Sequence, residues 1–383
     1  MFGLNSVSNY VVRFLISNRC RYPFGPRATI ALPFAAMSMC VVLGGITVAS
    51  RIADAAPSEF RTFKPKMTIS VENANQLKPV FEVEKRVNRI IRGPKEGELT
   101  FFEWSKGVEV VDGVTLNTLR QVETLQSPTD FAISPDGQYM TWREQNKPGY
   151  TLKRIVDDHL VEIELGKLPG FARFNQDSNY LAIGDTFSSG IAEGHGHTEM
   201  KLYDLSGKLI RTFERTEIPG VLTPVFSPDG KILAVGNRND VTRLYDLATG
   251  KRLHSLSKAM THEIAFSPDG KTLAAGYVDG AVALWDVPTG TLRSEQPSGG
   301  YEVYSIDFSP DGKVLVSSGR GGKIVLWNAK TLEKLHVLEA PVWVTQVKFT
   351  ADGTRLLSSS SSDVYAKGDR KIVVWEVSEG VKE

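Results

Sequence analysis

Phe226-Ser-Pro-Asp-Gly230, Phe266-Ser-Pro-Asp-Gly270 and Phe308-Ser-Pro-Asp-Gly312 are near copies of one five-residue stretch, and their recurrence decides how the chain is read. Ile133-Ser-Pro-Asp-Gly137 and Phe349-Thr-Ala-Asp-Gly353 vary it, Phe174-Asn-Gln-Asp-Ser178 is a worn copy, and Pro94-Lys-Glu-Gly97 is fainter still. The residues at the glycine place, 97, 137, 178, 230, 270, 312 and 353, are spaced by 40, 41, 52, 40, 42 and 41 positions. A fixed period of that length marks a repeat array, here of seven units.

Each unit reads as strands around turns. An alternating run such as Thr261-His262-Glu263-Ile264-Ala265-Phe266 leads into Pro-Asp-Gly, where proline presets one φ angle and glycine accepts a positive one. A second strand (Thr272 to Ala275) ends at Asp279-Gly280, a hairpin signal. The third is Ala281-Val-Ala-Leu-Trp285-Asp286, and a turn closing at Gly290 leads to the fourth. Four short antiparallel strands cannot bury both faces alone, whereas blades packed around an axis cover one another and leave few free edges.

The third strands carry a second repeated signature. Leu284-Trp285-Asp286, Leu326-Trp327-Asn328, Val374-Trp375-Glu376, Leu202-Tyr203-Asp204 and Leu244-Tyr245-Asp246 sit at matching places after the turns. With these motifs the chain, from roughly residue 86 to 383, resembles the tryptophan-aspartate (WD) repeat family of β-propellers. The motifs are highly specific in the last four units and weak in the first, where Val110-Val111-Asp112 holds the Trp-Asp place. The resemblance implies an all-β, seven-bladed propeller of four-stranded antiparallel blades, closed by a strand borrowed from the other terminus. Thr68-Ile-Ser-Val71 or Val80-Phe-Glu-Val83 would supply that strand, because the last unit stops at Val377. The family's buried His, Ser/Thr, Asp, Trp chain is incomplete here: Trp285 faces Ala275 at the Ser/Thr place, and Trp327 with Ser317 lacks its aspartate at Gly321. The last unit keeps Ser358, Asp369 and Trp375 without a histidine, so blade stability is expected to rest mainly on apolar packing.

Ahead of the repeats lies a different kind of sequence. Residues 1–28 carry Arg13, Arg19, Arg21 and Arg27 and no acid, and residues 29–49 hold no charge at all. With Ala53 and Ala55 following, this reads as an export signal cut after Ala55, or as an uncut anchor of twenty-one residues with its basic end inside. The expected organisation is an N-terminal apolar signal or anchor helix within 1–55, a linker at 56–66 and the propeller at 67–383, with 67–85 supplying the closing strand. The body would then lie outside the cytoplasmic membrane, touching it only through residues 29–49, and the style of the repeats points to a bacterial protein.

Charge and cysteine content exclude several functions. The chain has 383 residues with 45 Lys and Arg against 44 Asp and Glu; cutting residues 1–55 takes away five arginines and one aspartate, leaving 40 against 43. Such a body has no general attraction to nucleic acid, and its cations are spread through turns. Cys20 and Cys40 both lie in the leader, so the body holds no disulfide, cysteine-zinc or dithiol site.

Catalytic motifs are equally absent from the sequence: there is no Gly-x-Ser-x-Gly, Walker loop or His-Glu-x-x-His. Asp136, Asp229, Asp269 and Asp311 are turn residues, and the serines from Ser358 to Ser362 read as a strand running into a loop. His195 and His197, with Glu193 and Glu199 nearby, are a weak metal candidate in a polar insertion of the third unit that reads as a surface loop.

The first strands offer a better surface. Trp343, Tyr304 and His262 fall near their beginnings, and Arg320, Tyr277 and Arg238 follow second strands. By resemblance these positions open on the narrow face beside the central channel, where partners dock, and Trp, Tyr and Arg make binding hot spots. The expectation is a monomeric, non-catalytic protein or peptide scaffold without cofactor. The alternatives are a propeller enzyme or a small-ligand or metal binder using the channel mouth and the His195/His197 loop, and a self-assembling envelope protein.

Overall fold

In the computed structural model the described residues are 40–43, 46–49 and, with short gaps, 67–378. The chain divides into two compact units, Met1–Phe60 and Arg61–Glu383. Of the first, the structure describes a hairpin within the apolar run, Cys40–Leu43 paired antiparallel with Ile46–Ala49. The predicted leader helix and cleavage site otherwise lie outside the described residues. Among the described residues no helix is long and apolar enough to cross a membrane.

The second unit is a seven-bladed β-propeller of four-stranded antiparallel sheets. Blades 1 to 6 span 89–123, 128–163, 172–212, 222–259, 261–297 and 303–339. Blade 7 joins Trp343–Phe349, Arg355–Ser361 and Lys371–Val377 to Leu77–Glu84, which pairs with Lys371–Val377 as the outermost strand. Of the two candidate segments it is therefore the second that closes the ring, and a register shift between Pro79 and Phe81 accommodates the proline.

The repeated turns have a physical cause that recurs blade by blade. In blade 4 the Ser227 hydroxyl donates to Asp229 Oδ1 at 2.6 Å and accepts the Ile232 N–H at 2.9 Å, while Gly230 N–H donates to the Ser227 carbonyl. Ser267, Ser309, Ser134 and Thr350 repeat the bond to their aspartates. The glycine place needs positive φ, 68° at Gly230, and even the worn copy obeys, since Ser178 takes φ 54°. The aspartates Asp204, Asp246 and Asp286 of the second signature cap the third turns in the same way, accepting from Ser206, Thr249 and Thr289.

Between blades the core is apolar. Trp327 is fully buried with Leu315, Val325 and Leu332 against Ile306 and Phe308, and Trp285 is buried with Tyr277 and Leu273. Each such side chain contributes roughly 1.5–3 kcal/mol relative to exposure. Hydrogen bonds of the buried indoles add to this packing. Trp327 Nε1 donates to Ser317 and Trp375 Nε1 to Ser358, both at 2.9 Å. In blade 5, where Ala275 leaves no hydroxyl, Trp285 Nε1 donates instead to the phenol oxygen of Tyr277 at 2.9 Å. Tyr203 and Tyr245 take the tryptophan place in blades 3 and 4 and are buried in one cluster with Leu181 and in another with Leu233 respectively.

Candidate functional site

Because each blade is an antiparallel meander, its first and third turns lie on one side of the disc, here called the turn face. The second turns and the beginnings of the first strands lie on the other, the mouth face. Five of the six sequence-selected residues meet on the mouth face.

His262 begins the series on the first strand of blade 5. Its ring lies 5.0 Å from that of Tyr304 in blade 6, and Tyr304 lies 6.4 Å from Trp343 in blade 7, both tilted. The Arg320 guanidinium, carried by the second turn of blade 6, sits 4.7 Å from the Trp343 ring centroid. At the other end Arg238, from the second turn of blade 4, contacts His262 Nε2. The result is a ladder of three rings across three blades, with a guanidinium at each end and tilted contacts of the kind aromatic pairs favour.

Electrostatics fix the protonation of this ladder. Burial and the adjacent Arg238 charge hold the His262 imidazole down to about 3, so it is neutral and accepts at Nε2. Its Nδ1 is buried without a hydrogen-bond partner. Tyr304 is pushed up to about 12, by burial and then by its hydrogen bond to Glu302, to which the phenol donates at 2.8 Å. At neutral pH neither the imidazole nor the phenol of the ladder carries a charge.

The sixth residue, Tyr277, is elsewhere. It is fully buried, bonded to Trp285, with Lys258 4.6 Å from its ring centroid, and it takes no part in the surface. Its position after a second strand looked like Arg238 and Arg320, but its ring points into the blade to replace the hydroxyl that Ala275 lacks.

The third-blade insertion is built differently from the expected loop. Tyr180–Ser188 and Gly196–Asp204 pair over nine residues each, so strand continues well beyond the neighbouring blades. His197 pairs across this hairpin with Phe187, and its Nε2 lies 3.8 Å from Glu199. His195 lies outside the described residues, and among the described residues no group of three potential ligands could hold a metal. In blade 7, Ser358, Ser359 and Ser360 are strand residues bonded to Trp375, Val87 and Lys371.

A charged cluster along the channel escaped the sequence reading. Asp130, on the first strand of blade 2, is buried and accepts from Arg89 of blade 1 at 2.8 Å, from Tyr150 at 2.8 Å and from Ala172 N–H of blade 3 at 2.8 Å. Burial raises its pKa, against the pull of Arg89. Arg89 and Arg173 both lie against the Phe171 ring. Aligning the units would have pointed to it, since Asp130 stands three residues before its turn anchor, where other units have Phe171, Thr223, Ser305 or Gln346 and only blade 5 also has a carboxylate, Glu263. Asp307 makes a similar junction between blades 6 and 7, accepting from Lys348 Nζ and Phe349 N–H.

Comparison with known proteins agrees with this geometry. The model of the family described as WD domain, G-beta repeat, matches residues 251–286, 288–328 and 332–376. The chain's last three blades are WD repeats, and the body as a whole is a seven-bladed β-propeller. No curated protein matches it. The matched residues cover the last three blades, which carry all three third-strand tryptophans and all three rings of the ladder. WD-repeat propellers are generally protein-interaction scaffolds and typically have no enzymatic activity.

Proposed function

We propose that this propeller is a non-catalytic scaffold, displayed outside the cytoplasmic membrane, that holds a protein or peptide partner on its mouth face. The observation that carries this reading is the Arg238, His262, Tyr304, Trp343, Arg320 ladder. Those residues come from four different blades, and blade packing alone does not account for two cations stationed over ring and imidazole at the surface. Side chains already held by one another lose little freedom on binding, so the contact area is available at low entropic cost. Tryptophan, tyrosine and arginine are also the residue types that dominate binding energy. Export is inferred from the basic residues 1–28 and the uncharged run 29–49.

The test is crosslinking of the full chain in its own envelope, comparing the native protein with Trp343→Ala and Tyr304→Ala. Partner affinity should fall at least about tenfold for Trp343→Ala, a loss of ~1.4–2 kcal/mol or more. Equal capture by all three proteins would sink the mouth-face assignment.

A further inference from the structure

Blades 3 and 4 meet around a small cavity that neither the apolar seams nor the ladder uses. Its volume is about 10 Å³, and it lies at the base of the long third-blade hairpin. One wall is polar and comes from blade 3: Thr198 on the returning strand of the hairpin and Thr216 beyond the outer strand form an isolated bridge, and their hydroxyls are 3.2 Å apart. Blade 4 supplies the other wall, with Val235 and Asn237 from its second strand and Arg243 from its third.

Two donors in the blade 4 wall have nothing to donate to. Asn237 is 1% exposed, and its Oδ1 accepts the Asn239 N–H at 2.9 Å, which fixes the orientation of the amide. Its Nδ2 is therefore a buried NH2 group, and among the described residues it has no hydrogen-bond partner. Arg243 Nε is buried and unpartnered in the same way. The rest of that guanidinium is engaged, Nη2 with Asp240 Oδ2 at 2.8 Å and Nη1 with the Val241 carbonyl at 3.4 Å. A buried donor left unpaired forfeits its hydration, a shift of about tenfold in the folding equilibrium for each group.

The geometry points to one internal water molecule bound in this cavity, accepting from Asn237 Nδ2 and Arg243 Nε and donating to the hydroxyl oxygens of Thr198 and Thr216. Those oxygens keep lone pairs beyond their contact with each other and with the Ile218 carbonyl, so two donors and two acceptors surround the site, the set that one water satisfies. The volume takes a single water-sized sphere and no polyatomic ligand. A halide would accept from the same N–H groups. The Arg243 charge, however, is already met by Asp240, so the cavity offers no net positive charge to hold an anion away from solvent. The site has a consequence for the ladder, because Asn237 immediately precedes Arg238. Asn237 Oδ1 holds the Asn239 N–H and Asp240 Oδ1 holds the Val241 N–H, so a water that joins Asn237 and Arg243 to blade 3 ties down both ends of the turn that carries Arg238. Its role there is one of positioning.

The test is high-resolution diffraction from crystals of the full chain, with and without a bromide soak, repeated for Val235→Ile, whose added methylene competes for the volume of the water. A single peak roughly 2.7–3.2 Å from both Asn237 Nδ2 and Arg243 Nε, with no anomalous signal from bromide, is the expected result. Val235→Ile should lose that peak, raise the unfolding equilibrium constant about tenfold and speed amide exchange at Asn239 and Val241 by about the same factor. No peak at that position overturns the proposal, and a bromide peak there replaces the water with an anion site. A Val235→Ile protein that loses the peak and is as stable as the native chain also overturns it, because the two donors then needed no water. The water site stands whether or not the mouth face binds a partner.

Discussion

Blades 5 to 7 and blades 1 to 3 have the same topology and are held by different chemistry. In the later blades a buried indole donates to a hydroxyl within its own sheet, and apolar layers fill the seams. In the earlier blades no third-strand tryptophan exists, and a buried carboxylate joins three blades at once: Asp130 is bonded to Arg89, to Tyr150 and to the Ala172 backbone. Degeneration of a repeat motif therefore need not mean a weaker blade, because a non-repeating polar contact can take over. The regular half also carries most of the surface ladder, and its own charged junction, Asp307 with Lys348 and the Phe349 N–H, joins two blades where Asp130 joins three.

The largest expected effect tests that junction. Asp130→Ala removes the acceptor shared by Arg89, Tyr150 and the Ala172 N–H, leaving Tyr150 its bond to the Gly170 carbonyl and Arg89 its bond to the Phe131 carbonyl, and should cost about 3 kcal/mol in chemical denaturation. Asp130→Asn, which keeps hydrogen-bonding atoms, should cost less. A loss for Asp130→Ala no larger than that of an ordinary surface substitution would show that packing alone suffices in the early blades.

In the regular half, Tyr277→Phe deletes the oxygen that receives the Trp285 indole N–H and should cost ~1–3 kcal/mol, the penalty of one buried unpaired donor. Ser317→Ala is the parallel change under Trp327 and should cost a similar amount. If Tyr277→Phe is neutral, tyrosine is filling space in blade 5 and not replacing the missing hydroxyl.

A smaller effect concerns pH. The folded-state pKa of His262 is about 3, below its ordinary 6.5, so the unfolded chain binds the proton more readily between those values. Its contribution to stability is complete above pH 6.5 and is lost as pH falls toward 3. His262→Gln should flatten that decline by about 1–2 kcal/mol, a value discounted for the ring's partial exposure. The turn aspartates, whose pKa values are lowered chiefly by their Ser and Thr hydrogen bonds, add a loss below pH 4 that the variant leaves in place. Identical pH profiles for the two proteins would mean that the imidazole is solvated and that the ladder is loose.

Much of this molecule was legible from its residues because the repeat writes the same local instruction many times. Ser-Pro-Asp-Gly closes a turn through contacts within five residues, so it needs no knowledge of the rest of the fold, and blade number and strand order follow from counting it. The rim positions of Trp343, Tyr304, His262, Arg320 and Arg238 followed from their offsets to those turns. Tyr277 misled for the same reason: its offset indicates the loop end, while the direction of its ring depends on a hydroxyl missing at Ala275 two residues earlier. The Asp185 to Gly194 insertion, read as a loop, is strand as far as Ser188, and its polar residues carry no apolar alternation that could have shown it.

The sequence by itself determined the period, the turns, the seven blades and the absence of cysteine chemistry in the body, all of which depend on residues close together in the chain. Only the tertiary structure decided which segment closes the ring, that Asp130 joins blades 1 to 3, and that the rings of blades 5 to 7 meet at tilted angles between two arginines. Those contacts join residues tens to hundreds of positions apart. Each depends on the angle between neighbouring blades, which no local pattern records and which ring closure alone sets.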